Sequence, residues 1–81
     1  IVGFAAETEN IVENAKKKII SKNLDLIIAN DISKKNSGFG EDSNFSFLID
    51  SSGSIDELGL ISKRELARTL TIKIEQMRQN F

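Results

Sequence analysis

The chain has 81 residues, a formal net charge of −1 from 11 basic and 12 acidic side chains, and neither cysteine nor histidine. That length supports one small domain with a thin stability margin. The residue inventory rules out disulfides, thiolate metal sites and imidazole catalysis. The charge balance lacks the basic surface of a general nucleic-acid binder, and no apolar run approaches the ~18 residues of a membrane span. With no signal peptide visible, the composition reads as a cytoplasmic globular protein.

Ile1 to Ala6 (IVGFAA) reads as a short apolar strand. The chain opens inside this run, which is expected of a fragment of a longer protein. Thr8 is placed to cap a helix over about Glu9 to Lys22, with Glu9 suiting its positive end. Ile11, Ala15 and Ile19 recur at four-residue spacing and mark one buried stripe. Asn23 ends that helix, and Leu24 to Ala29 follows as a strand with the nearly continuous apolar character of burial on both faces. Strand, helix and strand at this spacing predict a βαβ unit with parallel strands and a right-handed crossover.

Beyond the polar loop the period changes to two. Phe45, Phe47 and Ile49 alternate with Ser46, Leu48 and Asp50, a Ser-Ser-Gly-Ser turn follows, and Ile55 to Ile61 completes an antiparallel hairpin. Ser62 and Glu65 have the spacing of a capping box for a last helix, whose buried stripe is Leu66, Leu70, Ile74 and Met77. The fold class is α/β, a Rossmann-like fragment with a parallel βαβ unit, a hairpin and a C-terminal helix.

Ligands of open α/β sheets sit beyond the carboxyl ends of the parallel strands. Here those ends carry Phe4, Ala5 and Ala6 on one strand and Asn30 and Asp31 on the other. Asn30 and Asp31 either shape a site or only tie down the loop through side-chain-to-backbone bonds. Gly38-Phe39-Gly40 opens no helix and precedes Glu41-Asp42, so it reads as a turn rather than a phosphate cradle. The lysines separate by angle. At about 100° per residue, Lys18 and Lys22 fall within about 20° of Ile11 on either side, whereas Lys16 and Lys17 lie about 140° and 120° away. Lys18 and Lys22 thus share the inward face one turn apart. Two ammonium groups there favour an anionic or carbonyl-rich ligand, the competing explanation being lysines that snorkel to solvent at a helix end.

GFAAET, a lysine-bearing helix, KNLDLIIANDIS, GFGEDSN with its hairpin, and SKRELA occur in an order and spacing that closely resemble phosphopantothenate–cysteine ligase. The similarity is to the bacterial form, the C-terminal half of a bifunctional coenzyme A biosynthesis flavoprotein, and it runs over nearly the whole chain. Residues 1–81 would then be the C-terminal portion of a ligase domain. The resemblance implies activation of 4′-phosphopantothenate by CTP and Mg²⁺ as an acyl-cytidylate, followed by attack of cysteine. By motif it implies nucleotide contacts from Phe4, Lys18 and Lys22, with Ala5, Ala6, Asn30 and Asp31 shaping the site. It implies no catalytic or metal-binding residue in this stretch: the Mg²⁺ contacts lie upstream, FMN belongs to the decarboxylase half, and the fragment alone is inactive. It also implies a homodimer. The alternative is a non-enzymatic α/β module that binds a nucleotide or a partner.

Overall fold

A computed structural model describes residues 1–33 and 43–79. The Gly38-Phe39-Gly40 turn and its acidic neighbours lie outside the described residues. Six elements follow in order: β1 (Val2–Glu7), α1 (Ile11–Ser21), β2 (Leu26–Asp31), β3 (Ser43–Asp50), β4 (Ile55–Ser62) and α2 (Lys63–Gln79). They form one four-stranded sheet in the order β1-β2-β3-β4. The β1–β2 pair is parallel, with Val2 opposite Leu26 and Glu7 opposite Asp31. The two remaining pairs are antiparallel. The α/β class, the parallel unit and the hairpin expected from the sequence are all present.

Alternation along the strands sorts the side chains onto two faces. Ala5, Ile27, Ala29 and Ile49 meet Ala15, Ile19 and Leu24 on the α1 side, with Ile11, Val12 and Phe47 at its margin. Three alanines in this layer let the helix lie close to the sheet. On the other side Leu26, Ile28 and Leu48 pack against Leu66, Leu70 and Met77 of α2. Leu26 to Ala29 are at most 1% exposed, so β2 is buried on both faces, as its unbroken apolar run required. Each such large side chain contributes roughly 1.5–3 kcal/mol.

Three details correct or extend the sequence reading. Thr8 is not the cap: α1 begins at Ile11 after Asn10, which takes a left-handed conformation and makes no side-chain cap bond. Ser46 shares a strand face with Leu48 and does not face water. The helix α2 covers that face, and Ser46 is buried. Ile74 sits at the rim of the α2 stripe rather than within it, still 36% exposed. Met77, three residues further along, returns to the cluster, so Ile74 is off the line that Leu66, Leu70 and Met77 trace.

The ends of α1 and α2 are otherwise well specified. Asn23, at φ 53°, follows the C-cap Lys22. Its amide donates to the Ile20 carbonyl (3.3 Å), and the Leu24 amide donates to that of Ile19 (2.9 Å), which together form a Schellman motif. The Leu24 and Ile19 side chains share the same buried cluster, supplying the apolar contact that usually accompanies it. At α2 the Glu65 amide donates to Ser62 Oγ (3.1 Å), the expected cap.

Candidate functional site

The carboxyl ends of β1 and β2 gather several of the sequence-selected residues. Ala5 is buried on the α1 face, so its neighbours Phe4 and Ala6 point to the α2 face. Phe4 is 67% exposed there, beside a cleft of about 330 Å³ that it lines with Ile28, Asn30, Asn44, Lys63 and Leu66 among others. Asn30 is its polar floor. The Ser46 hydroxyl donates to Asn30 Oδ1 at 2.8 Å, which anchors the amide.

Asp31 belongs to the opposite face and serves the turn after β2. Its Oδ1 accepts the Ser33 amide at 3.0 Å and the Ser33 hydroxyl. This is an Asx turn, the loop-tying geometry that competed with a site role in the sequence.

Lys18 lies on the α1 face. The helix runs back from the carboxyl ends of the strands, and the Lys18 side chain reaches up to them, placing Nζ 2.5 Å from Glu7 Oε2. The carboxylate side chain is 11% exposed and the ammonium side chain 39%, so the pair sits at the boundary between core and solvent. Lys22 is the C-cap residue and is exposed. At ~1.5 Å per residue it stands about 6 Å further from the strand ends than Lys18. Lys17, by contrast, pairs with Glu13 at 3.7 Å on the outer surface.

Lys18 therefore occupies the inward edge that the angular count assigns to it. Lys22, at the C-cap just past the helix, is exposed rather than inward. Phe4 lies across the sheet from both, and β1 is the edge strand between them. Only a ligand that meets the end of this edge strand touches Phe4 and Lys18 together. Glu7 was not singled out from the sequence, although alternation from Ala5 puts it on the α1 face and the angular count turns Lys18 toward that face. Among the described residues no group of three histidine, cysteine, aspartate or glutamate side chains converges to hold a metal.

The parallel βαβ unit, the hairpin and the C-terminal helix define an α/β domain with one four-stranded mixed sheet. The chain matches the DNA/pantothenate metabolism flavoprotein C-terminal domain over residues 1–77 and belongs to that family. It is 45% identical over 67 residues to the coenzyme A biosynthesis bifunctional protein CoaBC of Bacillus subtilis, covering 83% of this chain and 16% of that protein. It is 40% identical over 74 residues to a cysteine/cysteine sulfinic acid decarboxylase of an unknown prokaryotic organism, covering 91% of this chain and 21% of that protein. Among solved structures, the C-terminal domain of a CoaBC protein aligns with a TM-score of 0.80 at 36% identity, covering 99% of this chain and 35% of the other. The chain thus spans no more than about a fifth of the two relatives' length.

Proposed function

We propose that this chain is part of a phosphopantothenate–cysteine ligase of coenzyme A biosynthesis, and that the end of β1 with Lys18 is its contribution to the nucleotide site. The observation that carries the reading is the Lys18 ammonium, held half-buried at the carboxyl end of a parallel strand in a chain of this family. Family membership supports the ligase half of the bifunctional protein. The two relatives bear different activity names, and each extends far beyond this region.

In the reaction the carboxylate oxygen of 4′-phosphopantothenate attacks the α-phosphorus of CTP and pyrophosphate leaves. The cysteine amine then attacks the acyl carbon, CMP departs, and the amine gives up a proton. A free carboxylate is a poor acyl donor, and the nucleotide supplies the leaving group. The part assigned to this chain is orientation and charge: Phe4 packs against the nucleotide, Lys18 and Lys22 offset phosphate charge, and Ala5, Ala6, Asn30 and Asp31 shape the surroundings. Mg²⁺, bound by residues elsewhere in the protein, supplies further charge neutralisation. The enzyme acts as a cytoplasmic homodimer, and these 81 residues alone do not form acyl-cytidylate.

The open β1 edge also suits a module that only docks on a partner, and one experiment separates the two readings. Full-length protein is given CTP and 4′-phosphopantothenate, with and without cysteine. The ligase reading expects a stoichiometric burst of pyrophosphate without cysteine, and CMP release only when cysteine is added. No CTP-dependent pyrophosphate under either condition rejects the ligase and leaves the docking module.

A further inference from the structure

We infer that Glu7 is a positioning residue for the proposed nucleotide site: its carboxylate holds the Lys18 ammonium at the end of β1 for contact with an anionic phosphate chain. The inference rests on the ligase reading and adds a residue to it. Glu7 is fixed on two sides. Its carbonyl accepts the Ile32 amide at 2.9 Å, locking the end of β1 to the turn after β2, and its side chain is almost wholly enclosed. Lys18 brings a long flexible stem that is costly to order each time a ligand binds. Pairing at 2.5 Å with a largely enclosed carboxylate on a tied-down backbone orders it in advance. An ammonium has three donors, so one bond to Glu7 leaves two for a ligand on the solvent side.

The carboxylate also offsets the lysine's charge, which weakens long-range attraction for an anion. At contact distance, placement outweighs that loss, because a misplaced ammonium makes no charge-assisted bond. Protein kinases use the same device, a glutamate that must hold the lysine contacting the nucleotide phosphates.

The test is a double-mutant cycle in the full-length enzyme, reading KM for CTP and for cysteine separately. Glu7→Gln is expected to raise the CTP KM about three- to tenfold, as for a charge-assisted contact weakened but not removed. The cysteine KM stays unchanged. Added to Lys18→Ala, Glu7→Gln should cost less than about twofold more, since its effect runs through the lysine. Glu7→Asp, shorter but still charged, should fall between, and it carries the test if Glu7→Gln does not fold. An additive cycle, or equal losses for both substrates, makes Glu7 merely structural and overturns the inference. If Lys18→Ala raises the CTP KM and neither Glu7 variant does, the positioning role alone falls. If Lys18→Ala has no effect either, the nucleotide-site reading falls with it.

Discussion

Asp50 shows how much one side chain at a strand end can organise. Its Oδ1 accepts the amides of Ser52 and Ser54, both at 3.0 Å, and the Ser52 hydroxyl at 2.6 Å. Its Oδ2 meets Lys73 of α2 at 3.2 Å. Burial alone pushes this carboxyl up. The bonds from Ser52 and Ser54 and the Lys73 ammonium pull it down by more, and it ends below the ordinary 3.8. A carboxyl lowered in the folded state adds stability that is present above its unfolded value and is lost as pH falls through the folded one. Asp50→Asn should therefore lower stability by about 1–3 kcal/mol at pH 7. The gap from the parent should close as pH drops below about 4. Thermal unfolding of both proteins from pH 7 to pH 3 checks this, and a gap independent of pH contradicts it. Ser46 is a second case. Ser46→Ala strips the Asn30 amide of its anchor and should cost about 1–3 kcal/mol, measured by denaturant unfolding.

The elements were legible where apolar spacing decided them. The apolar run up to Ala29 had to hold a buried strand, although β2 begins only at Leu26 and runs on to Asp31, and the alternation of Phe45, Phe47 and Ile49 had to be a hairpin arm. The start of α1 was not legible, because Thr8 and Asn10 are both good cap residues and backbone conformation chose between them. Asn10 turns left-handed, and the helix begins one residue later. The other end was clearer, since Asn23 is among the few side chains that tolerate φ 53°. Asn23→Gly is thus expected to leave stability within about 1 kcal/mol, whereas Asn23→Val loses about 1–2 kcal/mol from the same backbone position. Equal losses from both would show that the Asn23 side chain, not its backbone, holds the end. Gly3 has a packing reason: a Cβ there would lie 2.6 Å from Leu24 Cδ1, inside the contact between the strand and the Schellman turn.

For the molecule as a whole, the central layer is complete and the periphery is not. No α2 residue is fully buried, and β1 leaves one row of backbone groups facing outward at the sheet edge. Hydrogen exchange should find the outward amides of β1 fast in the 81-residue chain and slow in the full-length protein; equal protection in both would mean that nothing pairs with this edge. The site was legible to the same degree. The angular count placed Lys18, but the Glu7 carboxylate that receives it depends on a strand-to-helix contact no single-helix periodicity shows. Phe4 and the lysines were grouped by motif, and the sheet puts them on opposite faces of its edge strand.

The central claim is that Lys18 and Lys22 serve a nucleotide, and CTP-dependent kinetics of the full-length enzyme test it most directly. Lys18→Ala, Lys22→Ala and Lys17→Ala are compared side by side. Each removes one charge from α1 or its C-cap, and Lys17 points outward to Glu13. Loss of a charge-assisted contact of ~1.5–3 kcal/mol should weaken CTP use by about one to two orders of magnitude for Lys18 and Lys22, with Lys18 the larger. Cysteine's KM should not move, and Lys17→Ala should match the parent. Small and equal losses in all three variants would mean the lysines only solvate the helix, contradicting the account.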